Sequence, residues 1–148
     1  MKSVFALVFA PLAANICFAA APASVQTTAL DAPLACTVTG HRFIADLEAA
    51  QLIDPTPAHV ESNSLNTFKP AHDASLTAFG FKVVALVAYE KEDGLFQRGD
   101  GEPVANSAYG AVVFAGEGKV HDALAAAGSP AIVHSVAPFV TAIFCKRS

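Results

Sequence analysis

The groups with chemistry to offer are His41, His59, His72, His121 and His134, together with an acidic cluster of Glu90, Glu92, Asp93, Asp100 and Glu102. No two histidines stand at H-x-H or H-x-x-x-H spacing, so a metal site would need ligands gathered from distant segments. No metal and no other cofactor is expected. His72-Asp73 and His121-Asp122 do not make a catalytic base and its partner, because neighbours in sequence do not aim at one another as a triad requires. Asp122 instead suits the first turn of a helix, where the dipole favours negative charge. No G-x-S-x-G elbow occurs.

Paired carboxylates can act as acid and base in glycosidic cleavage. That chemistry needs a substrate cleft, and a small domain without Trp offers a poor sugar platform. The segment from Asp93 to Glu102 does not follow the spacing of a calcium loop. Arg98-Gly99-Asp100 spells an adhesion tripeptide, a match short enough to arise by chance. Gly99 and Gly101 lack the further glycine and helix of a phosphate-binding loop. The cluster therefore reads as a solvated acidic loop, and no residue is assigned a catalytic role.

That loop, 91–107 (KEDGLFQRGDGEPVANS), is positioned by the apolar run before it, 76–90 (LTAFGFKVVALVAYE). The run reads as a central strand, with Gly80 marking a bulge or bend. Phe81, Val83, Ala85, Val87 and Tyr89 fall on one face and Val84, Leu86 and Ala88 on the other, so the pattern predicts burial on both sides. The loop is too long for a tight hairpin and carries the apolar pair Leu95-Phe96. Long loops in compact domains are usually functional or disordered.

Elsewhere the pattern is of short elements. Phe43, Ile44, Leu47 and Ala50 predict a helix over 41–53, ended by Asp54-Pro55. Residues 60–68 read as a weak edge strand, and 109–115 as a strand. Val120, Ala123, Leu124 and Ala127 predict a second helix, with Gly128 at its C′ position and Pro130 beyond. Two strands follow, over 131–136 and 139–145. The expected fold class is α+β: a two-layer sandwich of a mostly antiparallel sheet, about four to six strands, with one or two helices packed on one face and one disulfide.

The chain carries its own address. Lys2, an apolar stretch and the small residues of FAAAPAS (18–24) form a secretory signal peptide, read as residues 1–23 with its cleavage site left open. Cys17 lies within it, and bulky Ile16 before it argues against lipidation. Residues 24–35 read as a flexible mature N-terminus and 36–148 as a single domain. Without Lys2 the chain holds 8 basic residues against 13 acidic ones. That mildly acidic balance excludes nucleic acid and anionic membrane as expected partners. Cys36 and Cys145, an even pair in an exported chain, predict a disulfide. No Asn-x-Ser/Thr sequon occurs, which favours a bacterial periplasmic or secreted protein.

The expectation is thus a small exported protein that works by binding another protein, of inhibitor or immunity type, with Leu95, Phe96, Arg98, Asp100 and Glu102 as binding residues and a basic target suited to the acidic loop. One alternative is a small hydrolase that combines the acidic residues with a histidine such as His72 or His134. Another is a self-associating envelope protein with an exposed apolar sheet face.

Overall fold

The computed structural model describes residues 17, 19–21 and 24–148; the segment read as a signal peptide lies almost wholly outside them. The elements run β1 (Thr27–Ala29), a 3-10 turn (Pro33–Ala35), α1 (Gly40–Ala49), β2 (His59–Val60), β3 (Asn66–Phe68), β4 (Ser75–Ala78), β5 (Phe81–Glu90), β6 (Ser107–Val113), α2 (Glu117–Ala127), β7 (Ile132–Ala137) and β8 (Val140–Arg147). Among the described residues the sheet has eight strands, in the order β1-β4-β5-β6-β8-β7, with β3 also on β5 and β2 beyond it. It is mixed, because β1 runs parallel to β4. The α+β class and the disulfide match expectation; the clean two-layer sandwich of four to six antiparallel strands does not.

Three features account for the extra strands, the first being that the segment 60–68, expected as one edge strand, turns back on itself between β2 and β3. The 76–90 run is a hairpin, not one bent strand: Phe79 and Gly80 both take positive φ, 49° and 84°, between paired Ala78 and Phe81. Positive φ at both central residues is what a tight hairpin needs to match strand twist. The 24–35 segment is also structured, contrary to the flexible terminus expected. Its Thr-rich β1 pairs with the free edge of β4, and Leu30 and Leu34 enter the core.

β5 is bulged at Val84, so the alternation of side chains changes sides there. Val83, Leu86 and Ala88 face the helices and are buried, while Val84 is 40% exposed. The predicted division of this strand into two faces therefore holds only on one side of the bulge. Phe43, Ile44 and Leu47 of α1 and Val120 and Leu124 of α2 join one core with Leu86, Tyr109, Ala111, Val113 and Ile143. The opposite face, carried by Ala85, Val87, Val112, Ala142 and Phe144, is half-buried and has no helix over it among the described residues.

Local chemistry sets the helix ends. The Thr39 hydroxyl caps α1 by accepting from the Arg42 N–H at 3.2 Å. Gly128 ends α2 in the left-handed conformation, as its sequence position predicts, and the Ser129 N–H closes back on the Leu124 carbonyl at 3.1 Å. Ser129 Oγ then donates to the Leu34 carbonyl at 2.7 Å, tying α2 to the 3-10 turn. The Cys36–Cys145 disulfide joins that turn to β8 across 109 residues of chain. No helix among the described residues is long and apolar enough to cross a membrane.

Tyr109 anchors the same region. Its ring stacks on Phe43 at 4.8 Å and its hydroxyl donates to the Pro33 carbonyl at 2.7 Å. Burial, opposed by the Val38 N–H and by Arg147, raises its phenol above the ordinary 10.0. A phenol raised in the folded state contributes stability that is present below its unfolded value and lost as pH rises through the folded one. Alkaline unfolding should therefore steepen above about pH 10 in the parent and less so in Tyr109→Phe, followed by circular dichroism. Identical alkaline profiles would count against this assignment. Replacing Cys36 and Cys145 together by Ala should lower stability by about 2–5 kcal/mol, read from urea midpoints. An unchanged midpoint would show that the long closed loop adds nothing.

Candidate functional site

The loop at residues 91–106 is bound down along most of its length. The floor is the β2–β3 turn, where Asn66 is fully buried. Its Nδ2 donates to the carbonyls of Ser64 and Gln97, at 2.8 and 2.7 Å, and its Oδ1 accepts from the Gln97 N–H at 2.9 Å. Ser64, also buried, accepts from the Gly99 N–H through Oγ at 3.0 Å. Farther along, the Gly101 N–H reaches the Ser62 carbonyl at 2.9 Å and the Val104 N–H the Asn63 carbonyl at 3.0 Å. Gly99 is required by this approach, since a Cβ there would meet the carbonyl oxygens of Glu61 and Ser62.

The loop's other side is held to α1. Gly40 lies so close to the sheet that a Cβ would stand 2.5 Å from the Tyr89 oxygen and 2.8 Å from the Ala108 oxygen. The Gly40 N–H donates to Ser107 Oγ at 2.9 Å, and the His41 N–H donates to Glu90 Oε2 at 2.7 Å. A carboxylate here complements both the unpaired N–H groups and the positive end of the helix. His41 Nδ1 then meets Asp93 Oδ2 at 2.6 Å, while Asp93 Oδ1 accepts from the Leu95 N–H at 2.9 Å. Both oxygens of Asp93 and one of Glu90 are thus engaged in holding α1 and the loop together.

The candidate residues divide accordingly. Phe96 is 9% exposed and packs against Phe68 and Tyr89, with ring centroids 6.4 and 6.3 Å away. Leu95 is half-buried against the core. Arg98, Asp100 and Glu102 are exposed and, among the described residues, form no ion pair. Arg98 lines two open hollows. One, of about 410 Å³, also holds Lys91, Glu102, Pro103 and Asn106. The other, of about 340 Å³, is bordered by Glu90, Glu92, Asp93 and Phe96.

The histidine that meets the acidic cluster is His41, which sequence reasoning left unassigned; its place just after the capping Thr39 was the available signal. Neither His72 nor His134 lies within ion-pair distance of a cluster carboxylate. No group of three or more His, Cys, Asp or Glu side chains among the described residues is arranged to hold a metal. Compared with protein-family models, curated proteins and solved structures, the chain matches none.

Asn66→Ala should cost about 1–2 kcal/mol, because it removes two part-buried hydrogen bonds to the Gln97 N–H and C=O. Hydrogen exchange at Gln97 and Gly99 should accelerate with it, and Gly99→Ala should produce the same local acceleration. If both amides keep their protection in both variants, the loop is not held by this turn.

Proposed function

We propose that this is an exported, non-enzymatic binding protein that recognises another protein through the outer surface of loop 91–106, in the manner of an inhibitor or immunity protein. The observation that carries the reading is the contrast within the loop. Its backbone is fixed by part-buried bonds to the buried Asn66 and Ser64, while Arg98, Asp100 and Glu102 are exposed and, among the described residues, form no ion pair. Fixing a loop before binding lowers the ordering cost on association. Charges left unpaired on a fixed frame are available for complementary charges on a partner, which raises specificity and association rate.

The reading assigns separate tasks to the loop residues. Phe96 and Leu95 hold the loop to the core. Arg98, between the two hollows, is the anchor, since Arg is enriched among residues that dominate interface energy. Asp100, Glu102 and Glu92 supply the acidic surround that suits a basic target. Export is supported by the Cys36–Cys145 disulfide, a bond that persists in oxidising compartments.

The test is capture from an extract of the compartment of origin, followed by affinity measurement on whatever is retained. Arg98→Ala should weaken the captured complex about tenfold or more. Asp100→Ala with Glu102→Ala should slow association and flatten its salt dependence. A triple variant that holds the same partner with unchanged affinity would remove the loop from the interface. Phe96→Ala is the wrong probe, because truncating a buried Phe costs about 3–5 kcal/mol of folding stability.

A further inference from the structure

β7 is the last strand in the sheet order, so one row of its backbone groups has no strand beside it among the described residues. Among the described residues, 132–137 make no backbone hydrogen bonds outside their ladder with β8. Natural edge strands are commonly guarded by charged residues, Pro or bulges. In β7 the guards stand at the ends: Pro130 before the strand, and a bulge at Val136 with Pro138 in the turn that follows. Ile132, Val133, His134 and Ser135 have none. No Asp, Glu, Lys or Arg occurs anywhere in residues 131–145. The strand and its turn also hold three of the most exposed large apolar side chains of the described chain: Ile132 at 48%, Val136 at 57% and Phe139 at 70%.

We propose that β7 is a homodimerisation edge, on which a second copy of this chain lays its own β7 antiparallel about a two-fold axis at His134. Three observations select this occupant. Unpaired strand groups call for another strand, because only a strand satisfies the whole row. The strand is also self-matching up to its bulge: the axis at His134 sets Val133 opposite Ser135 of the second copy and brings Ile132 to the bulge at Val136, with no Asp, Glu, Lys or Arg in register. Finally, a chain with 8 basic and 13 acidic residues past its leader repels its own copies, and the uncharged stretch 131–145 is where two copies meet without that repulsion.

The symmetry follows from the other edge. β1 has three residues, two of them Thr, and offers little to pair with. A β7-to-β1 contact would be heterologous and would extend into a filament, whereas β7-to-β7 closes on itself. Ile132 and His134 lie on the face without helices, paired with Phe144 and Ala142. Pairing therefore joins the bare apolar faces of two sheets side by side and covers their exposed borders.

The test uses the disulfide-bonded chain in a Cys17→Ser background. Sedimentation equilibrium from micromolar to near-millimolar concentration should show a monomer–dimer equilibrium. Ser135→Lys, which places a guarding charge on the edge, should weaken the dimer about tenfold or more while leaving the circular dichroism spectrum of the parent. His134→Cys should form an intermolecular disulfide on mild oxidation, because residues opposite one another in antiparallel strands stand about 4.5–5.5 Å apart at Cα, within disulfide reach. Phe114→Cys, exposed on the same face but away from the edge, should not cross-link. A monomer at every concentration overturns the proposal, as does a dimer indifferent to Ser135→Lys. Cross-linking through Phe114→Cys in place of His134→Cys would show that copies stack by their faces, and would overturn it equally. None of these results bears on loop 91–106, so the two proposals fail separately.

Discussion

The rest of the structure depends on the way β5 shares its edges. Along one edge its ten residues serve two strands: Phe81 and Lys82 pair with β4, and Leu86, Val87 and Ala88 pair with β3. Along the other edge, from Val83 to Glu90, it pairs with β6. The bulge at Val84 falls between the two partners of the shared edge. A bulge bends its strand and increases local twist, which suits a strand that must leave one neighbour and meet another. β4 and β3 thus lie end to end along this edge, each on its own residues of β5.

The same strand places the loop. β5 ends at Glu90, whose carboxylate reaches the first turn of α1, and the next contact, Asp93 to His41, lies three residues on. α1 can approach so closely only because Gly40 has no side chain to strike the Tyr89 and Ala108 carbonyls. Helix position and loop position are thus one problem with one solution. The exposed His41–Asp93 pair adds about 0–1 kcal/mol by itself. Its larger effect is to fix where the chain leaves the sheet.

Features encoded by neighbours in sequence were legible. α2 announced itself through apolar spacing and Gly128, the disulfide through an even pair of cysteines, and the loop through its length and its position after an apolar run. Features made by distant residues were not. Thr27–Ala29 has no strand pattern of its own and is a strand because β4 offers it an edge. The 78–81 hairpin was hidden because apolar character continues through it, and because Phe79 is an uncommon residue at positive φ. Asn66 gave no sign of its role: within its own segment it is one polar residue among several, and its three hydrogen bonds are visible only when Ser64 and Gln97 come together. The apolar pair in the loop marked a real feature, and the structure resolves its direction, since Phe96 turns inward.

That inward turn bears on what a long loop is for. A loop that displays its aromatic residue gains contact area with a partner but leaves its own backbone to be ordered on binding. Here Phe96 lies against Phe68 and Tyr89, and the loop backbone is joined to Asn66 and Ser64 in the interior. An apolar residue at position 66 could fill the same space, but it would leave Gln97 unpaired at both its N–H and C=O. A satisfied buried polar network fixes one conformation more sharply than apolar packing does, because each misplaced group is costly. The arrangement thus favours definition of shape over contact area. On the binding role proposed above, such a surface would discriminate by the position of its charges, and Arg98, Asp100 and Glu102 stand on a stretch whose backbone is tied to the β2–β3 segment.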